Sequence, residues 1–112
     1  MRIEWTHTTG KVAESLPRVK ARLNGYLASY DKVYIGATTD PRNRSDAHEE
    51  NGWAKMVLLY KTRSPVSCAT MEKAAIKHAR SSSFKVKPEN VLSGGNSIPG
   101  DRDEYFVYVL VD

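Results

Sequence analysis

The sequence predicts a small α/β or α+β domain in which a three- to four-stranded sheet, mixed or antiparallel, is flanked by helices. Three observations predict it. Residues 56–62 (MVLLYKT) and 105–111 (YFVYVLV) are apolar on both faces, as strands covered on both sides are. Asp40-Pro41 and Ser64-Pro65 each pair a helix-capping side chain with a proline. Strand and helix patterns alternate along the chain, with no internal repeat and no linker composition. At 112 residues the chain suits one domain, 1–112, large enough to bury a core without staples.

The elements follow in order. In residues 1–8 (MRIEWTHT), Ile3 and Trp5 alternate with polar neighbours, the pattern of a short edge strand. Val12, Leu16, Val19, Leu23 and Leu27 recur every three or four positions and form one apolar stripe on a helix. Pro17 sets its start near Ser15, because proline is tolerated in a first turn, and Asn24-Gly25 is a stop signal. From Gly25 to Asp31 two readings stay open: the helix continues, or GYLAS is a strand turning into the next one. Residues 33–38 are a strand. Asp40 caps a helix over about 41–51, closed by Asn51-Gly52, and Ser64 caps another that runs to about Arg80. Residues 81–100 are loop-rich, with KPEN at 87–90 and SGGNSIPG at 93–100, before the last strand.

Hydrophobic content of 40% and charged content of 27% exclude a disordered chain. The net charge of +4 fits either a solvated basic surface or one that attracts DNA or RNA. Cys68 is the single cysteine, so an intrachain disulfide is impossible, and the lack of a Cys/His cluster speaks against structural zinc. No apolar run approaches the roughly 18 residues that span a membrane, and the N-terminus lacks the apolar centre of a signal peptide. A cytoplasmic setting is the expectation. His7 and His78 have no partners at metal spacing and read as surface residues; Trp53 and Met56 read as packing residues.

Two helices carry candidate chemistry. Arg44 and His48 lie one turn apart on the 41–51 helix, with Asn51 on the same side and only Ala47 to offer a core. Such a pair is often no more than a solvated face. On the 65–80 helix, Cys68, Ala69, Ala75, Ile76 and Ala79 share one arc, and Glu72 falls in its middle. An ionised carboxylate there costs several kcal/mol unless something pairs with it. Glu72 is therefore either half of a structural salt bridge or a metal ligand or acid/base group, with small alanines leaving room for a cation or substrate.

Taken together, Tyr34-Ile35-Gly36, Arg44 ten residues after the tyrosine, His48, Glu72 on a following helix, and Asn90 after Lys87-Pro88 resemble the catalytic core of the GIY-YIG endonuclease family. The resemblance covers about residues 33–96. Trp53 with MVLLYKT, and the later glycine pair, are similar to small stand-alone phage and bacterial members. It implies a GIY-YIG nuclease-like fold and metal-dependent hydrolysis of DNA phosphodiester bonds in a bacterial or phage-infected cell, with RNA left open as substrate. It further implies a single Mg²⁺ (or Mn²⁺) with Glu72 as the one protein ligand named. Arg44 forks onto phosphate oxygens, Tyr34 positions or deprotonates the water, His48 orients Tyr34 or relays its proton, and Asn90 ties the late loop to the site. Lys32 and Arg42 join Arg44 as nucleic-acid contacts, and sequence preference is weak or is supplied by a homodimer or a separate partner. The family's strand with Gly-Ile-Tyr lies about ten residues before Tyr-Ile-Gly. Here the nearest match is Gly25-Tyr26-Leu27, with Tyr26 eight residues before Tyr34. Either Tyr26 fills that role, or the first strand is 1–8 and its tyrosine is absent. The alternative implied is a catalytically inactive nucleic-acid-binding module of the same fold.

Overall fold

The computed structural model describes residues 1–84, 86–89 and 102–112. The elements are β1 (Arg2–Glu4), α1 (Val12–Ser29), β2 (Val33–Thr38), α2 (Pro41–Glu49), β3 (Lys55–Thr62), α3 (Pro65–Arg80) and β4 (Tyr105–Val111). The strands form one mixed sheet in the order β1-β3-β4-β2. β1 runs parallel to β3, and β4 is antiparallel to both β3 and β2. The last strand of the sequence is thus an inner strand of the sheet. All seven of its residues are buried, which is why its sequence is apolar on both faces.

Period-two alternation divides the core into two layers. Val33, Ile35, Val57, Leu59, Val107 and Val109 face α1 and α3, where Val19, Leu23, Leu27, Met71 and Ile76 complete the larger cluster. Met56, Leu58, Phe106, Tyr108 and Leu110 face the other way and form a smaller cluster with Met1, Ile3, Tyr34 and Trp53. α2 belongs to this second side: its His48 packs on Tyr34 and Tyr108, and Glu49 pairs with the Met1 ammonium. A β-bulge between Leu58 and Tyr60 sends both Leu59 and Tyr60 into the larger cluster.

α1 departs from the expected boundaries at both ends. It begins at Val12, so Pro17 lies inside it, and it runs through Asn24-Gly25 to Ser29. Val12 and Leu16 pack on the core and Leu27 is buried. Burying one such side chain stabilises by about 1.5–3 kcal/mol, against about 1 kcal/mol for a glycine within a helix. Packing overrides the stop signal, and the strand reading of GYLAS is excluded. α2 ends at Glu49, two residues before the expected close, with Gly52 at φ 89° beyond it. Among the described residues, no helix is long and apolar enough to cross a membrane.

Candidate active site

The site begins with a missing side chain. Gly36 on β2 pairs with Tyr108 on β4. The Tyr108 ring lies directly across the glycine: a Cβ there would stand 2.5 Å from the ring's Cζ and 3.0 Å from Cε2. Only glycine permits that approach. The ring is held down on the sheet, and Tyr108 is 2% exposed. Its hydroxyl oxygen stands 2.8 Å from Nε2 of His48.

His48 is placed by the corner between β2 and α2. Thr38, the last residue of β2, accepts the Asp40 N–H on Oγ1 at 3.0 Å. The Asp40 side chain in turn accepts the Asn43 N–H at 3.2 Å and caps α2, with Pro41 in the first turn. From that fixed start, one turn separates exposed Arg44 from His48. The Tyr34 ring completes the group, 5.7 Å from the His48 ring and 6.3 Å from Trp53.

Charge reaches Tyr108 from both layers. Burial, then the neighbouring Tyr34 and the Glu72 carboxylate, push the phenol above its ordinary range, and the Arg44 guanidinium pulls it back. Burial first, then Arg44, holds His48 below its ordinary value of 6.5. At neutral pH the bonded pair is therefore a neutral phenol and a neutral imidazole. Glu72 is 5% exposed on α3, which packs on β2, β3 and β4. Its charge also acts on Cys68, whose thiol is pushed up to about 12 by burial and by Glu72, so it stays protonated and inert.

Tyr34 and His48 thus gather around Tyr108 on the α2 side of the sheet, with Arg44 one turn from His48, whereas Glu72 lies on α3, on the opposite side. The other sequence candidates lie elsewhere. Tyr26 is helical, on the α1 side of the sheet; its hydroxyl accepts from Arg22 at 3.4 Å and its ring stands 6.2 Å from Tyr30. It does not supply a tyrosine to the cluster, because α1 never becomes the strand that would have carried it there. Lys32 is exposed at the foot of β2, its main chain paired with Asp112. Arg42 lies over the Trp5 ring at 5.4 Å. Asn90 and the loop at 93–100 lie outside the described residues. His78 is not a bare surface residue, since it bonds Asn24 Oδ1 at 2.8 Å. His7 packs edge-on against Phe106 at 5.8 Å.

The residue that sequence reasoning missed is Tyr108. Alternation within YFVYVLV puts it on one face with Phe106 and Leu110. Nothing local says that this face lies beside Gly36; that depends on a pairing between distant strands.

The one buried carboxylate among the described residues is Glu72, on α3. Among the described residues, no three His, Cys, Asp or Glu side chains gather as a metal centre. A single carboxylate suits hydrated Mg²⁺, which takes its remaining ligands from water and phosphate, and does not suit structural zinc. Searches of protein-family models, of curated proteins and of solved structures found no match to this chain.

Proposed function

We propose that this chain is a metal-dependent endonuclease of the GIY-YIG type, hydrolysing DNA phosphodiester bonds at the Tyr108 cluster. One observation carries the reading: the Tyr108 hydroxyl, seated on Gly36, stands 2.8 Å from His48, on the helix that also carries Arg44. The family's second tyrosine belongs on a strand that leads into the Tyr34 strand. The reading is supported by Tyr108 lying on a strand antiparallel to the Tyr34 strand, contributed by the far end of the chain. The main chain of Asp112, just after β4, bonds Asp31 and Lys32, just before β2. β4 therefore stands where a preceding hairpin strand would stand.

The chemistry is in-line displacement at phosphorus. Glu72 would hold the single Mg²⁺ (or Mn²⁺), which when bound draws charge from the phosphate and steadies the leaving oxygen. Arg44, exposed at the rim, forks onto the non-bridging oxygens as negative charge builds there. Tyr108 and Tyr34 orient the attacking water. As its oxygen bonds phosphorus and the P–O bond to the leaving sugar oxygen breaks, Tyr108 takes the water's proton and passes its own to Nε2 of neutral His48. The leaving oxygen is reprotonated from solvent, and His48 later releases its proton there. Lys32, Arg42 and Arg44 contact the DNA backbone, and the setting is the cytoplasm.

Incubating supercoiled plasmid with the protein, with Mg²⁺, with Mn²⁺ and with EDTA, tests this. Metal-dependent nicking is expected. It falls about 10²–10³-fold in Arg44→Ala and at least about 10²-fold in Tyr108→Phe, in proteins that remain folded. An intact plasmid, or a Tyr108→Phe variant cutting at the full rate, overturns the proposal.

A further inference from the structure

Trp5 is the one large aromatic side chain among the described residues left substantially in water, 45% exposed. Exposure alone means little, but its surroundings are specific. The indole stands edge-to-face on Phe106, ring centroids 6.1 Å apart. His7 braces the same Phe106 ring at 5.8 Å. The Arg42 guanidinium lies over the indole, 5.4 Å from its centroid. The ring is thus fixed before any ligand arrives, and a cation accompanies it.

Its position matters as much. Phe106 is two residues from Tyr108 on the same face of β4, about 7 Å along the strand. Arg42 is two residues from Arg44 on α2. The Trp5 ring therefore adjoins the Tyr108 cluster at both its strand and its helix. A rigid aromatic face beside a guanidinium is what an unpaired nucleobase stacks on, because every base has a π-face and every nucleotide carries a phosphate. A paired base inside a duplex presents no such face.

We infer that Trp5 and Arg42 form a stacking platform for an unpaired nucleobase flanking the phosphate at the Tyr108 cluster, so that the substrate class is nucleic acid with single-stranded character. The inference rests on the endonuclease reading. The base takes the place over the indole that Arg42 occupies in the free protein, and the guanidinium moves to that nucleotide's phosphate. Both groups stay close to their starting positions, and the exchange replaces one cation–π contact by stacking and an ion pair.

Binding of fluorescent oligonucleotides in EDTA tests the platform without cleavage. Single-stranded DNA, single-stranded RNA and duplex DNA of equal length are compared for the wild type, Trp5→Ala, Trp5→Leu and Trp5→Phe. Leucine keeps apolar cover over Phe106 but has no π-face, so it decides the question should the alanine variant fail to fold. The expected result is a loss of about 5- to 150-fold on both single strands in the Ala and Leu variants, near-wild-type binding by the Phe variant, and duplex affinity changed less than about twofold. Unchanged single-strand affinity in Trp5→Leu, or an equal loss on duplex, overturns the platform. Plasmid cleavage by the wild type separates the two claims. Cleavage with unchanged selectivity in Trp5→Leu leaves the nuclease and removes the platform, and a wild-type protein that binds none of the three probes removes both.

Discussion

Gly36 and Tyr108 show how a site can depend on an atom that is absent. An alanine at 36 puts its Cβ 2.5 Å from the Tyr108 Cζ, so the ring must lift and the hydroxyl must leave its position by His48. Gly36→Ala is expected to cost about 1–3 kcal/mol by overpacking and to lower cleavage well beyond what that loss of stability explains. Denaturant unfolding and plasmid nicking on one preparation check this; full cleavage by a folded variant would show that the ring's seat is immaterial. Glu72 makes the complementary case. Glu72 is 5% exposed, and burying a carboxylate costs desolvation that its partners, protein groups or a bound cation, must offset. Glu72→Gln is expected to abolish metal-dependent cleavage and leave the melting temperature unchanged or higher. A clear drop in melting temperature would reassign Glu72 to a structural ion pair.

At the scale of elements, the corner from β2 into α2 aims the site. Asp40 and Pro41 are adjacent local signals that the structure uses as chemistry predicts, and Thr38 Oγ1 adds a bond from the Asp40 N–H. Asp40→Ala removes the cap and is expected to cost about 0.5–2 kcal/mol. Because α2 carries both Arg44 and His48, cleavage should fall along with thermal stability, while binding of duplex DNA in EDTA stays within a few-fold; unaltered thermal stability would refute the role of the cap. α1 teaches the opposite lesson. Its proline and its Asn-Gly pair read as boundaries, and both sit inside the helix. Local signals hold where nothing larger opposes them, as at α2 and α3, whose caps were legible. They fail where several buried side chains, here Val19, Leu23 and Leu27, act against one residue's preference.

Across the whole molecule, all three histidines respond to acid in the same sense. His7, His48 and His78 are each held below the ordinary 6.5, in every case foremost by burial. The unfolded chain therefore binds protons first as pH falls through 6.5, and stability rises with pH in that window. The contribution is fully present above 6.5 and is lost as pH falls toward the lowered values in the folded state. The melting temperature is expected to decline between about pH 7 and about pH 5, and nicking to decline with it as His48 becomes charged and can no longer take a proton from Tyr108. A melting temperature constant over that range would show that the burial of these rings has no energetic weight.

The amino-acid sequence by itself determined the local matters: that the apolar runs near 33–38, 56–62 and 105–111 are strands, where α2 and α3 are capped, and that Tyr34, Arg44 and His48 fall within one strand–helix unit. It also marked Glu72 as anomalous, because period and polarity are properties of neighbouring residues. Tertiary structure alone decided that β4 pairs with β2, that Tyr108 meets His48 across 60 positions of chain, and that Tyr26 faces the other side of the sheet. Those outcomes belong to strand order and register, which are set by how the whole apolar surface is best covered. No single segment carries that information.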